Sequence, residues 1–118
     1  AYPLGGHFHI PHGLRNSLVL PEVLRFNLPK AAPLYAQLAS ILSDRPFADH
    51  EDGAGVLIAA LESLINEVGL PTKLREVGVS EDSLDVLASD AMLQQRLLVN
   101  NPREVTEADA LNIYKAVY

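Results

Sequence analysis

The chain has 118 residues, of which 48% are apolar and 20% charged, with no cysteine and a formal charge of −6 at pH 7. That is enough apolar chain to bury the core of one domain, and too much for intrinsic disorder. These totals exclude disulfides, thiolate nucleophiles and cysteine-based zinc sites, and the nine scattered basic residues argue against nucleic-acid and membrane-surface partners.

Residues 1–11 carry Pro3, Gly5, Gly6 and Pro11, a density of turn formers that predicts a loop with one extended stretch at His7–Ile10. From His12 the pattern becomes helical. Leu14 and Leu18 share one face, and Val19, Val23 and Phe26 form an adjoining stripe. Pro21 lacks an N–H and its ring crowds the preceding turn, so either one helix kinks there, the favoured reading, or a second begins with Pro21 in its first turn. A further helix is expected over Ala31 to Ser43, on the recurrence of Leu34, Leu38, Ile41 and Leu42. "SDRPFADHEDGAG" (residues 43–55) then reads as a loop with a solvated His50.

The clearest helical stretch is "GVLIAALESLINEVGL" (residues 55–70), where Leu57, Leu61, Leu64 and Val68 recur at steps of four, three and four. Gly69 and Pro71 stop it. One short turn fits before Gly78. Ser80, followed by Glu81 and Asp82, predicts a helix start, with the helix running to about Ala91 and a short one following at Met92–Val99. Thr106 and Asp109 predict a capping box at the start of the last helix, whose inward stripe is Ala110, Ile113, Tyr114 and Val117. No strand alternation or fixed repeat appears. The fold class is therefore all-α, a bundle of helices. No stretch reaches the roughly 20 apolar residues of a spanning helix, and with no secretory pattern the cytoplasm is the default location.

"GGHFHIPHGLRN" (Gly5–Asn16) places three of the four histidines within six positions. Three readings stay open: one metal held by all three, separate roles, or a polar loop of satisfied imidazoles. If His7 and His9 are extended, their side chains share one side. Pro11 biases Ile10 away from helical geometry, so His9 and His12 are no ready pair. No second ligand block such as HExxH accompanies the cluster. His12, between Pro11 and Gly13 at the mouth of a helix, is the best placed of the three.

The whole phrase "AYPLGGHFHIPHGLRNSLVLPEVLRFN" resembles the C-terminal helical domain of the iron-containing alcohol dehydrogenases, of the dehydroquinate-synthase-like fold. The agreement runs through Pro3-Leu4-Gly5, Pro11-His12-Gly13, Asn16, Leu20-Pro21, Val23 and Phe26-Asn27, and the closing "NNPREVTEADALNIYKAVY" is similar to that family's end. The resemblance implies a two-domain enzyme in which a divalent metal, iron and in some members zinc, lies in the cleft between this domain and an N-terminal dinucleotide-binding domain. His12 maps to the last metal ligand, and the other ligands map upstream of Ala1. The chain would then be the C-terminal part, residues 1–118, of a longer enzyme, without dehydrogenase activity and with weak metal binding at best when isolated.

The implied reaction is hydride transfer between a small alcohol or aldehyde and NAD or NADP. Tyr2 stands where many members have His, on the nicotinamide and metal side; a phenol ionises too far above neutrality to act there as a near-neutral base. His7 maps to the substrate side of the cleft. Leu97 maps to a pocket-facing position, though it also reads as an ordinary core leucine. Two rivals stand beside this reading: a maleylacetate-reductase-like enzyme, and a non-catalytic helical interaction module. Homo-oligomer formation is left open.

Overall fold

The computed structural model describes residues 1–118, and every regular element in it is a helix. In chain order these are α1 (Tyr2–Phe8), α2 (His12–Leu42), α3 (His50–Glu67), α4 (Leu84–Met92), α5 (Gln95–Leu98) and α6 (Glu107–Ala116). Two 3₁₀ turns, Leu74–Val77 and Glu81–Ser83, bridge α3 and α4. The all-α class is as expected. Several boundaries are not.

The loop expected over residues 1–11 is helical over Tyr2–Phe8, and no extended stretch exists at His7–Ile10. Pro3 lies in the first turn, where its missing N–H is no loss. Gly5 admits a tertiary contact, since a Cβ built on it would lie 1.3 Å from Nη1 of Arg15. The helix ends at His9, whose φ of 54° and ψ of 26° are left-handed. The chain then turns, Ile10 is buried at 6% exposure, and Pro11 leads into α2.

The two helices expected on either side of residue 30 are one, α2, of 31 residues with Pro21, Pro29 and Pro33 inside it. An interior proline costs about 3 kcal/mol, so packing must hold this helix together. Pro21 is itself buried. Asn27, 3% exposed, exchanges side-chain amide hydrogen bonds with Asn101 at 2.9 and 2.7 Å. Arg103 donates from Nη1 to the Phe26 carbonyl at 2.8 Å, and its guanidinium lies 4.1 Å from the centre of the Phe26 ring.

The second half of α2 presents a different face from the one its leucines suggest. Leu34, Leu38, Ile41 and Leu42 are exposed, Ile41 at 79%. The buried face is Ala31, Ala32, Tyr35, Ala36 and Ala39, set against Gly53, Ala54 and Leu57 of α3. Small residues on both sides permit close approach: a Cβ on Gly53 would sit 2.7 Å from that of Ala36. For the same reason the stripe on α3 is inward only at its start, with Leu64 and Val68 exposed.

α3 begins at His50, earlier than expected, because Asp49 caps it by accepting from the Asp52 N–H at 2.8 Å. Arg45 grips both Asp52 oxygens at 2.8 and 3.0 Å, and the Ala48 N–H donates to the same carboxylate at 3.0 Å. The Arg45 guanidinium and then that N–H lower the Asp52 carboxyl to about 2. His50 is exposed, as anticipated.

Beyond Gly78 the helix expected to start at Ser80 opens instead as the turn Glu81–Ser83 and becomes α-helical at Leu84, and the short helix expected over Met92–Val99 shrinks to α5. The capping box at α6 is present: Asp109 N–H donates to Thr106 Oγ1 at 3.2 Å, and Thr106 N–H to Asp109 Oδ2 at 3.0 Å. α6 closes the larger core, in which Leu4 of α1, Leu18 and Val19 of α2, Leu84 and Leu87 of α4, and Ala110 and Tyr114 of α6 meet Leu74. Burial, with a smaller contribution from Asp90, raises the Tyr114 phenol to about 12.

Candidate functional site

The corner between α1 and α2 carries the histidine-rich phrase, and its geometry resolves the open question about the three imidazoles. No three His, Asp or Glu side chains of the chain gather as a metal-holding group. His7 lies in the last turn of α1 and reaches sideways to the Asp90 carboxylate of α4. His9 occupies the left-handed corner and is exposed. His12 opens α2, also exposed. The extended arrangement that would have set His7 and His9 side by side does not form, since Tyr2–Phe8 is helical.

His12, Tyr2 and Leu97 line one pocket of about 230 Å³, together with Pro3, Arg15, Asn16, Gln94 and Leu98. Three of the four residues singled out from the sequence thus meet, although they come from α1, α2 and α5. The rigid parts are the helices: Leu4 at 0% and Leu18 at 2% exposure fix α1 and the start of α2 in the larger core. His7 is not in this pocket. It borders another, with Phe8, Asp82 and Ser83.

Both ring nitrogens of His12 have neighbours. Arg15 donates from Nη2 to Nδ1 at 3.1 Å, and the Asn16 side-chain amide lies 3.1 Å from Nε2. A neutral imidazole accepts at one nitrogen and donates at the other. Arg15 can only donate, so Nδ1 is the accepting nitrogen and Nε2 carries the proton, facing Asn16 Nδ2 at 3.1 Å. Arg15 also lies over the Tyr2 ring, 5.6 Å from its centre.

As a metal ligand set this wall is partial. It offers one exposed imidazole at a pocket edge, which suits a divalent ion whose other donors come from elsewhere. Arg15 is the residue that sequence reasoning passed over. Its signal was available: three positions after His12 on a helix, it had to share that residue's face. Gln94 was missed too, and nothing local in the sequence marks it, because its place in the pocket depends on how α4 and α5 dock.

The comparisons agree along the entire length. The model of the Fe-containing alcohol dehydrogenase family, C-terminal, matches residues 1–118. Long-chain-alcohol dehydrogenase 1 of Geobacillus thermodenitrificans is 34% identical over 119 aligned residues, covering 100% of this chain and 30% of that protein. Lactaldehyde reductase of Escherichia coli is 31% identical, covering 100% of this chain and 31% of that one. Among solved structures, 1,3-propanediol oxidoreductase superposes with a TM-score of 0.92 at 30% identity, over 99% of this chain and 31% of that chain. An alcohol dehydrogenase from Oenococcus oeni superposes with a TM-score of 0.90 at 29% identity. The chain therefore spans about a third of the length of these relatives. With a helical fold, a whole-chain family match and a His12 pocket walled by α1, α2 and α5, the chain belongs to the Fe-containing alcohol dehydrogenase family, as its C-terminal region.

Proposed function

We propose that residues 1–118 form the C-terminal helical domain of an NAD- or NADP-dependent, metal-dependent alcohol dehydrogenase, completed by an N-terminal dinucleotide-binding domain and working in the cytoplasm. The observation that carries this reading is the position of His12: an exposed imidazole at a helix start, on the wall of a pocket shared with Tyr2 and Leu97. When bound, iron or zinc would supply Lewis acidity to the substrate oxygen, and the nicotinamide would exchange a hydride with the carbinol carbon.

Each residue on this wall has a task. His12 supplies one neutral nitrogen to the ion. The Asn16 amide, 3.1 Å from Nε2, steadies the ring in the metal-free state. Tyr2 offers a hydroxyl for hydrogen bonding at the mouth of the pocket. Leu97 and Leu98 give the pocket an apolar side for the substrate's carbon chain. His7 is tied to Asp90 outside the pocket, so its part is to brace α1 against α4.

The test is His12→Ala in the full-length protein, read by bound metal per subunit and by NAD(P)-linked oxidation of short alcohols. Metal content should fall, and kcat/KM by at least about a hundredfold. Unchanged metal content and activity would end the proposal.

A further inference from the structure

We infer that Arg15 makes the His12 pocket selective for alcohols that carry a carboxylate a few bonds from the reacting carbon, an inference that rests on the dehydrogenase reading above. Arg15 Nε is shut off from solvent and has no hydrogen-bond partner. The guanidinium makes a single hydrogen bond, to His12 Nδ1, although it carries five N–H donors. No carboxylate lines the pocket in which it sits. Two other arginines contrast with this. Arg25 is held by Glu22 and Glu62, and Arg45 by Asp52. Arg15 is thus a fixed charge with spare donors and no counter-charge, placed against the imidazole expected to hold the ion.

Two further features fit an anion here. Gly5 leaves room for the guanidinium, so the residue is seated rather than waving in solvent. The first turn of α2 has no side-chain cap, which leaves backbone N–H groups and the positive end of the helix at the same corner.

Metal ligation sharpens the point. If His12 bound an ion through Nε2, Nδ1 would carry the proton and could no longer accept from Arg15. If it bound through Nδ1, the lone pair would be taken. In either case Arg15 loses its one acceptor, and its planar fork matches a carboxylate in two parallel hydrogen bonds. The substrate's carboxylate takes no part in bond making. It is a handle, close to the reacting carbon because Arg15 and His12 are in contact.

The experiment uses the full-length, metal-loaded enzyme and two probes of the same shape, 3-hydroxypropanoate and its neutral amide, 3-hydroxypropanamide. The acid should be preferred over the amide in kcat/KM by more than about tenfold. In Arg15→Ala that ratio should fall about tenfold, toward one, mainly through KM, and Arg15→Lys should restore part of it. Calorimetry should show 3-hydroxypropanoate binding to the cofactor-free enzyme about tenfold more weakly in Arg15→Ala. Arg45→Ala, outside the pocket, should leave the ratio where it was. An acid-to-amide ratio near one in the unaltered enzyme, or one that Arg15→Ala does not move, overturns the inference while leaving the dehydrogenase reading in place. An enzyme that oxidises neither probe nor any simple alcohol overturns the reading beneath it.

Discussion

The two halves of α2 belong to two different kinds of core. Its first half joins α1, α4 and α6 around leucines, valines and Tyr114, a cluster of 12 buried residues. Its second half lies on α3 through a cluster of 6 made mostly of alanine. The first packs large side chains from several helices and positions the pocket. The second brings two helices close together and leaves leucines outside. Burial therefore follows the size of the partner face rather than the hydrophobicity of the residue: Leu18 is 2% exposed in one half and Leu34 57% in the other.

Truncation should separate these cores most strongly. Leu87, at 0% exposure, should cost about 3–5 kcal/mol on conversion to Ala, and Leu57, at 7%, about 2–3 kcal/mol, read by chemical denaturation. Equal losses would mean that the second core is as deep as the first. Next in size is a pair of glycines within α3. Gly53→Ala should destabilise by about 1–3 kcal/mol, because its Cβ would meet Ala36 and Phe47 at 2.7 and 2.8 Å. Gly55→Ala, with open space around it, should stabilise by about 0.5–1 kcal/mol through helix propensity. If both stabilise, the two helices are not in close contact.

The smallest effect concerns acid. Asp52 at the start of α3 is lowered to about 2, and Asp109 at the start of α6 is lowered by its backbone and side-chain bonds from Thr106. A carboxyl whose folded pKa is depressed stabilises above its unfolded value near 4, and that contribution is lost as pH falls toward the folded one. The start of α3 should loosen between about pH 4 and pH 2, and the start of α6 as pH falls below about 4. NMR titration of the two carboxyl groups, with amide exchange at residues 49–53, would read it. An Asp52 midpoint near 4 would remove the Arg45 clamp from the account.

Features encoded over three or four residues were legible in the sequence. The Thr106–Asp109 box is a contact between near neighbours, and the exposed His12 at a helix mouth follows from Pro11 and Gly13. The family resemblance then drew Tyr2 and Leu97 toward the same place. Features decided by tertiary contacts were not legible. Gly5 and Gly6 signal a loop until Arg15, ten positions on, fills the space above Gly5. The outward turn of Leu34 and Leu38 depends on Gly53, which lies in what reads as a loop. Three prolines argue against a helix of 31 residues until Asn101 and Arg103, from the far end of the chain, fasten its middle.

One consequence of α2 concerns the ring at its tip. The helix runs unbroken for 31 residues, seated in both cores, and His12 is its first residue. If His12 holds an ion as proposed above, donors from outside these residues would meet a target that does not have to search for its position, so little ordering entropy should be lost when the coordination shell closes. A ligand carried between helices, as His9 is, would lack that advantage.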